Sequence, residues 1–224
     1  LADQTRIAFR TPDGNPKWQK VPVTRASPAK DGDVVVRLAP SLAGSIYAPE
    51  LIEADLDPYD CLYIGSRQDA TDLRQAAPRL RAFLDDGGTI VVTSDIEAET
   101  WVPGVRWQPT PINFWWWLTP GASSGLRASA PSHPMFDALS LDDATWHHHG
   151  VLTPPAGAIS LIDADDGGSI LYDDTVSTGG RLIVMTLDPC YHHGSYFMPA
   201  TTRFLKKFLP WLAAQPRYRD AAVT

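Results

Sequence analysis

Basic charge is what this chain has least to spare: Lys and Arg total 19 against 26 Asp and Glu, a net charge of -7. Nucleic acids and anionic membranes are bound through basic surfaces that neutralise phosphates, so neither is an expected partner. Long apolar runs are missing too, and nothing approaches the roughly 18 consecutive apolar residues of a bilayer-spanning helix. Cysteine is scarce. Two residues, Cys61 in an apolar run and Cys190 in a polar one, make no disulfide framework in 224 residues and favour a reduced, cytoplasmic compartment. The first residue is Leu1, not Met, which leaves a removed export leader open. No Pro/Gly/Ser-rich linker separates two hydrophobic segments. The expectation is one domain over 1–224, with an irregular part over 1–55 and an excursion over 97–154.

What is present is a set of strand and helix signals. Arg6–Phe9 and Asp33–Leu38 read as strands, with loop or hairpin between them. Cys61–Ile64 is a short apolar strand ending at Gly65-Ser66, after which a loop opens at Arg67. Leu73, Ala76, Ala77, Leu80, Phe83 and Leu84 recur at helical intervals, predicting a helix over Thr71–Asp86 that Pro78 kinks or restarts. Gly87-Gly88 would end it and Thr89–Thr93 follows as a central strand, completing a strand–helix–strand crossover. Glu97–Pro154 is rich in Trp, Pro and His and poor in period, so it reads as an excursion from the sheet. Ser169–Tyr172 and Arg181–Met185 look like a hairpin. In the last helix, Phe204, Leu205, Phe208, Leu209 and Leu212 share a stripe.

Chemistry concentrates where apolar strands run into polar residues. After Met185 come Thr186-Leu187-Asp188-Pro189-Cys190-Tyr191-His192-His193, and after Thr93 come Ser94-Asp95. Parallel sheets hold ligands beyond the carboxyl ends of their strands, so Asp95 and Asp188 are candidate acid and base, with His192 as a further catalytic candidate. The same aspartates would equally serve as caps of turns. Five of the six histidines fall in two runs, His147-His148-His149 and His192-His193. In an extended segment His147 and His149 project to one face, and with His193 or His192 and Asp188 they would suit zinc, manganese or iron. Alternatively they hydrogen-bond loop backbones and line a polar pocket. Trp115-Trp116-Trp117, with Trp101, Trp107 and Trp146, would stack a sugar or flat ligand, pin the excursion to the sheet, or bury a subunit contact in a homo-oligomer. Cys190 beside His192 pairs a nucleophile with a base on paper, but with no orienting third group it reads as an unreactive loop thiol.

The order of these pieces resembles the class I glutamine amidotransferase-like superfamily, and within it the trehalose-utilisation (ThuA-like) branch. The residues carrying the resemblance are Tyr59–Gly65, Leu80–Thr93, His133–Phe136, Asp142–Trp146, Gly180–Asp188 and the helix ending at Trp211. The resemblance implies a flavodoxin-like three-layer α/β sandwich with a mostly parallel sheet. It also implies a catalytic Cys after the strand matching Thr89–Thr93 and a His after the strand matching Leu182–Thr186. Here Ser94-Asp95 and Asp188 stand at those places, so glutamine hydrolysis is rejected. The Gly65-Ser66 turn resembles the family's oxyanion-hole turn. The expected function is therefore a domain without glutaminase activity that acts on or binds a small, carbohydrate-related molecule at the sheet's C-terminal edge, assisted by a divalent metal. Its ligand-binding residues would be Gly65, Ser66, Arg67, Ser94, Trp116, Trp146 and Tyr191, its metal ligands His147, His149 and His193. The alternative is a non-catalytic binding or assembly module with the Trp-rich excursion as its partner interface.

Overall fold

The computed structural model describes residues 46–93, 97–111, 116–194, 198–215 and 218. The strands expected at Arg6–Phe9 and Asp33–Leu38, and the candidates Ser94, Asp95 and Trp115, lie outside the described residues.

β1 (Cys61–Ile64), α1 (Ala70–Asp85) and β2 (Thr89–Thr93) form the expected crossover, with β1 and β2 parallel. Asp69 caps α1 by accepting a hydrogen bond from Thr71 N at 2.8 Å. The helix runs through Pro78 and buries Leu73, Ala76, Leu80, Phe83 and Leu84. Its end is a Schellman motif: Gly88 N donates to Phe83 O, Gly87 N donates to Leu84 O, and Gly87 takes φ 84°.

The rest of the sheet is built from β3 (Arg106–Gln108), β4 (Leu126–Ala128), β5 (Val151–Thr153), β6 (Ile159–Ala164), β7 (Ser169–Asp174) and β8 (Arg181–Met185). β8 lies parallel to β2 on one side and antiparallel to β7 on the other, which gives the order β1-β2-β8-β7-β5-β3, with β6 joining β7 and β4. The sheet expected to be mostly parallel is mixed: among the described residues two pairings are parallel and five antiparallel. The physical reason is connection length. β6 to β7 and β7 to β8 are joined by short turns, and a short turn can only return the chain antiparallel. The excursion is likewise not separate from the sheet, because it contributes β3, β4 and β5.

β2 and β8 carry the core on both faces. Val91, Ile183 and Met185 point to the layer that contains α4 (Pro199–Ala213), whereas Ile90, Val92, Leu182 and Val184 point to the layer that contains α1. On the α4 side Phe204 stacks on Phe208 at 4.9 Å and meets Trp146 edge-on at 5.5 Å. Trp101 belongs to the α1-side core and Trp146 to the α4-side core, so these two tryptophans pin the excursion to the sheet. Two short helices complete the described fold, α2 (Met135–Ala138) and α3 (Pro189–Gly194). No helix among the described residues is long and apolar enough to cross a membrane.

β8 enters the sheet under the α1–β2 turn. Arg181 N donates to Gly88 O at 3.1 Å, and a Cβ on Gly180 would overlap the carbonyl oxygens of Gly88 and Leu84. Backbone cannot swing aside as a side-chain end can. Gly180→Ala should therefore cost about 1–3 kcal/mol, as overpacked sites do, read as a lower urea midpoint at unchanged slope.

Candidate functional site

Because β1, β2 and β8 are parallel neighbours, their carboxyl ends share one rim. Thr93, the last residue of β2, donates its hydroxyl to Ile64 O at 3.1 Å and ties two of the three exits together. The third exit is Thr186-Leu187-Asp188, from which α3 starts with Pro189 at a position where its missing N–H costs nothing. The stretch read as a loop from sequence is thus one and a half turns of helix. This sets Asp188 and His192 one turn apart on the same side.

Asp188 is the centre of the site. Its carboxylate is 2% exposed, and Oδ2 lies 3.2 Å from His149 Nε2 and 3.3 Å from His192 Nε2. His192 Nε2 is in turn 3.0 Å from His147 Nε2, and the His147 and His149 rings stand edge to face at 5.1 Å. His147, His149 and Asp188 each offer a ligand atom within 4.8 Å of the others. His149 N also donates to Thr186 O, which fastens the histidine segment to the exit of β8. His148 turns elsewhere, its Nδ1 3.1 Å from Gly150 O.

Protonation follows from these contacts. Burial, the largest influence on Asp188, pushes its pKa up, but contacts with His149 and His192 outweigh it and bring the carboxyl down to about 2. For His147, burial is again the largest influence and lowers the pKa to about 4, with neighbouring His192 and His149 in the same direction and Asp188 against. At neutral pH the pair is thus an ionised carboxylate and an uncharged imidazole, the forms in which both ligate metal. Asp188 Oδ1 has no hydrogen-bond partner among the described residues despite its burial.

A metal held by such a set would be tetrahedral at about 2.0–2.1 Å from each ligand, which spaces neighbouring ligand atoms by about 3.3 Å. Three of the spacings are near that edge length: His149 and His192 Nε2 to Asp188 Oδ2, 3.2 and 3.3 Å, and His147 Nε2 to His192 Nε2, 3.0 Å. Zinc is the best fit to a three-nitrogen, one-oxygen donor set, with manganese and iron also compatible.

The remaining candidates divide. Ser66 is 3% exposed at the exit of β1. The guanidinium of Arg67 stands 3.9 Å over the Tyr191 ring, and Tyr191 meets His192 edge-on at 5.1 Å, so Arg67 and Tyr191 border the cluster. His193, expected among the metal ligands, instead sets Nδ1 2.8 Å from Thr202 Oγ1 on α4, and His192 takes its place beside Asp188. Trp146, expected to stack a ligand, is 1% exposed and enclosed by the core, with no face to offer. Trp116 lies half-buried in the 3-10 turn Trp116–Leu118. Cys190 sits in α3, fully buried, and donates to Tyr63 Oη at 3.3 Å; burial pushes its thiol up to about 12. Tyr63 had no signal in the sequence beyond its place in an apolar strand.

A second polar cluster has no signal in the sequence. At the opposite end of β8, Arg181 forks onto Asp173 through Nε at 3.0 Å and Nη2 at 2.5 Å, and His133 Nε2 approaches the same carboxylate at 3.1 Å. Contact with His133 and Arg181 outweighs burial and lowers the Asp173 pKa. Every oxygen of Asp173 is thus engaged, and the cluster clamps β7 and β8 to the segment before α2.

The fold is a mixed α/β sheet with helices packed on it, and its polar centre is a carboxylate surrounded by imidazoles. No protein-family model matches the sequence, and no curated protein sequence matches it. Among solved structures the chain is similar to the cytoplasmic protein STM1381 from Salmonella typhimurium LT2, with a TM-score of 0.50, 14% identity, and 75% of this chain and 80% of that one covered. It is also similar to the exo-beta-1,4-mannosidase Op5Man5 from Opitutaceae bacterium strain TAV5, with a TM-score of 0.43, 10% identity, and 77% and 28% covered. A third is the beta-galactosidase from Rahnella sp. R3, with a TM-score of 0.38, 15% identity, and 74% and 25% covered. The chain spans about a quarter of each glycosidase and most of the first protein. The likeness to the first is one of fold alone.

The depressed pKa of His147 has a consequence for stability. A group whose folded pKa lies below its unfolded value contributes stability above the unfolded value and loses it as pH falls. For His147 the window runs from 6.5 down to about 4, and for Asp188 from 3.8 down to about 2. The metal-free protein should lose stability steadily below pH 6.5, and His147→Gln should flatten the slope between pH 6.5 and 4. Urea midpoints at pH 7, 5.5 and 4.5 measure both.

Proposed function

We propose that this chain binds a divalent metal ion through His147, His149, His192 and Asp188, and uses it to hold a small molecule at the carboxyl ends of β1, β2 and β8. The single observation that carries the reading is the clustering of His147, His149 and Asp188, whose ligand atoms all lie within 4.8 Å of one another, with His192 Nε2 3.3 Å from Asp188 Oδ2 and 3.0 Å from His147 Nε2. The orphan Asp188 Oδ1 supports it, because a buried carboxylate oxygen without a donor is costly unless something else neutralises it. A bound metal supplies Lewis acidity at that point. The protein's own part is to keep His147 and Asp188 deprotonated at neutral pH and to hold the ligands on two segments fixed by the end of β8.

We read the domain as amidotransferase-like without glutaminase activity. The crossover β1–α1–β2 followed by parallel β8 and the closing helix α4 favours the resemblance, as a flavodoxin-like half limited to those three strands. The chemistry of the thiols argues against glutamine hydrolysis by Cys61 or Cys190, because burial pushes both up to about 12 and neither offers a thiolate near neutral pH. A carbohydrate-related ligand rests on the family resemblance, since the core position of Trp146 takes away one stacking platform.

The test is metal content of untagged protein after dialysis against zinc, manganese or ferrous iron. One ion per chain is expected. His147→Ala, His192→Ala and Asp188→Asn should each weaken binding at least about 10-fold, whereas His193→Ala should leave it unchanged. Sub-stoichiometric metal, or equal loss in the His193 variant, would sink the assignment.

A further inference from the structure

Arg67 has the features of a ligand anchor. It is the residue after the β1 exit, and it adopts φ 63°, a left-handed conformation that side chains other than glycine rarely enter. Its guanidinium is held over the ring of Tyr191, and two ring contacts, of 3.9 and 5.1 Å, link it to the His192 imidazole. The side chain is exposed, and no carboxylate pairs with it among the described residues. An arginine lying over an aromatic face keeps its N–H donors at its edge, where a planar oxyanion can take two of them at once.

Charge points the same way. A divalent ion with one carboxylate and neutral imidazoles retains a positive charge, and Arg67 adds another on the same rim, although the whole chain carries -7. Asp188 lies within 3.3 Å of His149 and His192 Nε2, and in the metal reading it serves as a ligand. Two positive centres on one rim favour a guest that brings negative charge of its own.

We infer that the guest of this rim is a small oxyanion, a carboxylate or phosphate group, taken by Arg67 at one end and by the metal at the other. The inference rests on the metal reading above and names the chemistry of its ligand. Tyr191 is the positioning residue that fixes the guanidinium.

Inorganic phosphate and malonate are the probes, titrated calorimetrically into cobalt-loaded protein whose visible absorption reports the metal's coordination. Both should perturb the cobalt spectrum in wild type; tighter phosphate identifies a phosphate ester as the natural source, tighter malonate a carboxylic acid. Arg67→Ala should weaken the favoured anion about 10-fold or more, with cobalt affinity unchanged, and Tyr191→Ala should weaken the anion likewise by releasing the guanidinium. Arg67→Gly relieves the positive φ, so it should lose the anion without lowering the urea midpoint. Cobalt binding with anion affinity unaffected by Arg67→Ala overturns the inference and leaves the metal reading intact. Failure to take up cobalt overturns the metal reading; Arg67-dependent phosphate binding by the metal-free protein would then uphold the anion site, and its absence would end both.

Discussion

β8 follows Gly180 and runs out towards Asp188, and over Leu182–Met185 its backbone is paired on both sides. Its side chains alternate into two different cores, Leu182 and Val184 towards α1, Ile183 and Met185 towards α4. A slip of one residue would exchange the two sets. With the register held, whatever follows Met185 must emerge beside the ends of β1 and β2. The position of Asp188 is therefore a consequence of packing that occurs several residues earlier.

A buried carboxylate stands near each end of this strand, Asp173 of β7 against Arg181 and Asp188 after Met185, and the two are satisfied differently. Asp173 is matched by a permanent cation, Arg181, with His133 as a further contact. Asp188 is met by the imidazoles of His149 and His192. Burying a carboxylate costs several kcal/mol unless it is paired and hydrogen-bonded. A fixed ion pair closes a cluster against further binding, whereas a carboxylate met by imidazoles has neighbours that are themselves able to ligate a metal. That difference separates a structural clamp from a candidate metal site within one strand's length.

The elements legible in the sequence are those whose pattern repeats over many residues. Leu73, Ala76, Leu80 and Phe83 mark α1, Gly87-Gly88 marks its end, and Phe204, Leu205, Phe208 and Leu212 mark α4. β3, β4 and β5 have three residues each, too few to show a period, and so the excursion concealed three strands of the sheet. β6 was hidden by irregular pairing, since its register with β7 shifts on both sides of Ile162. α3 is short, begins with Pro189 and buries polar residues, each of which reads as loop. Without that helix the one-turn spacing of Asp188 and His192 carries no meaning, and His193 looks equally suitable.

By itself the sequence determined the crossover, the closing helix, the β7–β8 hairpin and the clustering of histidines in two runs, because each depends on periodicity or spacing among near neighbours. Only the tertiary structure decided which imidazoles meet Asp188, that Trp146 is core, and that Arg67 reaches Tyr191. Those facts depend on where strands far apart in the chain come side by side, and no local pattern encodes that pairing.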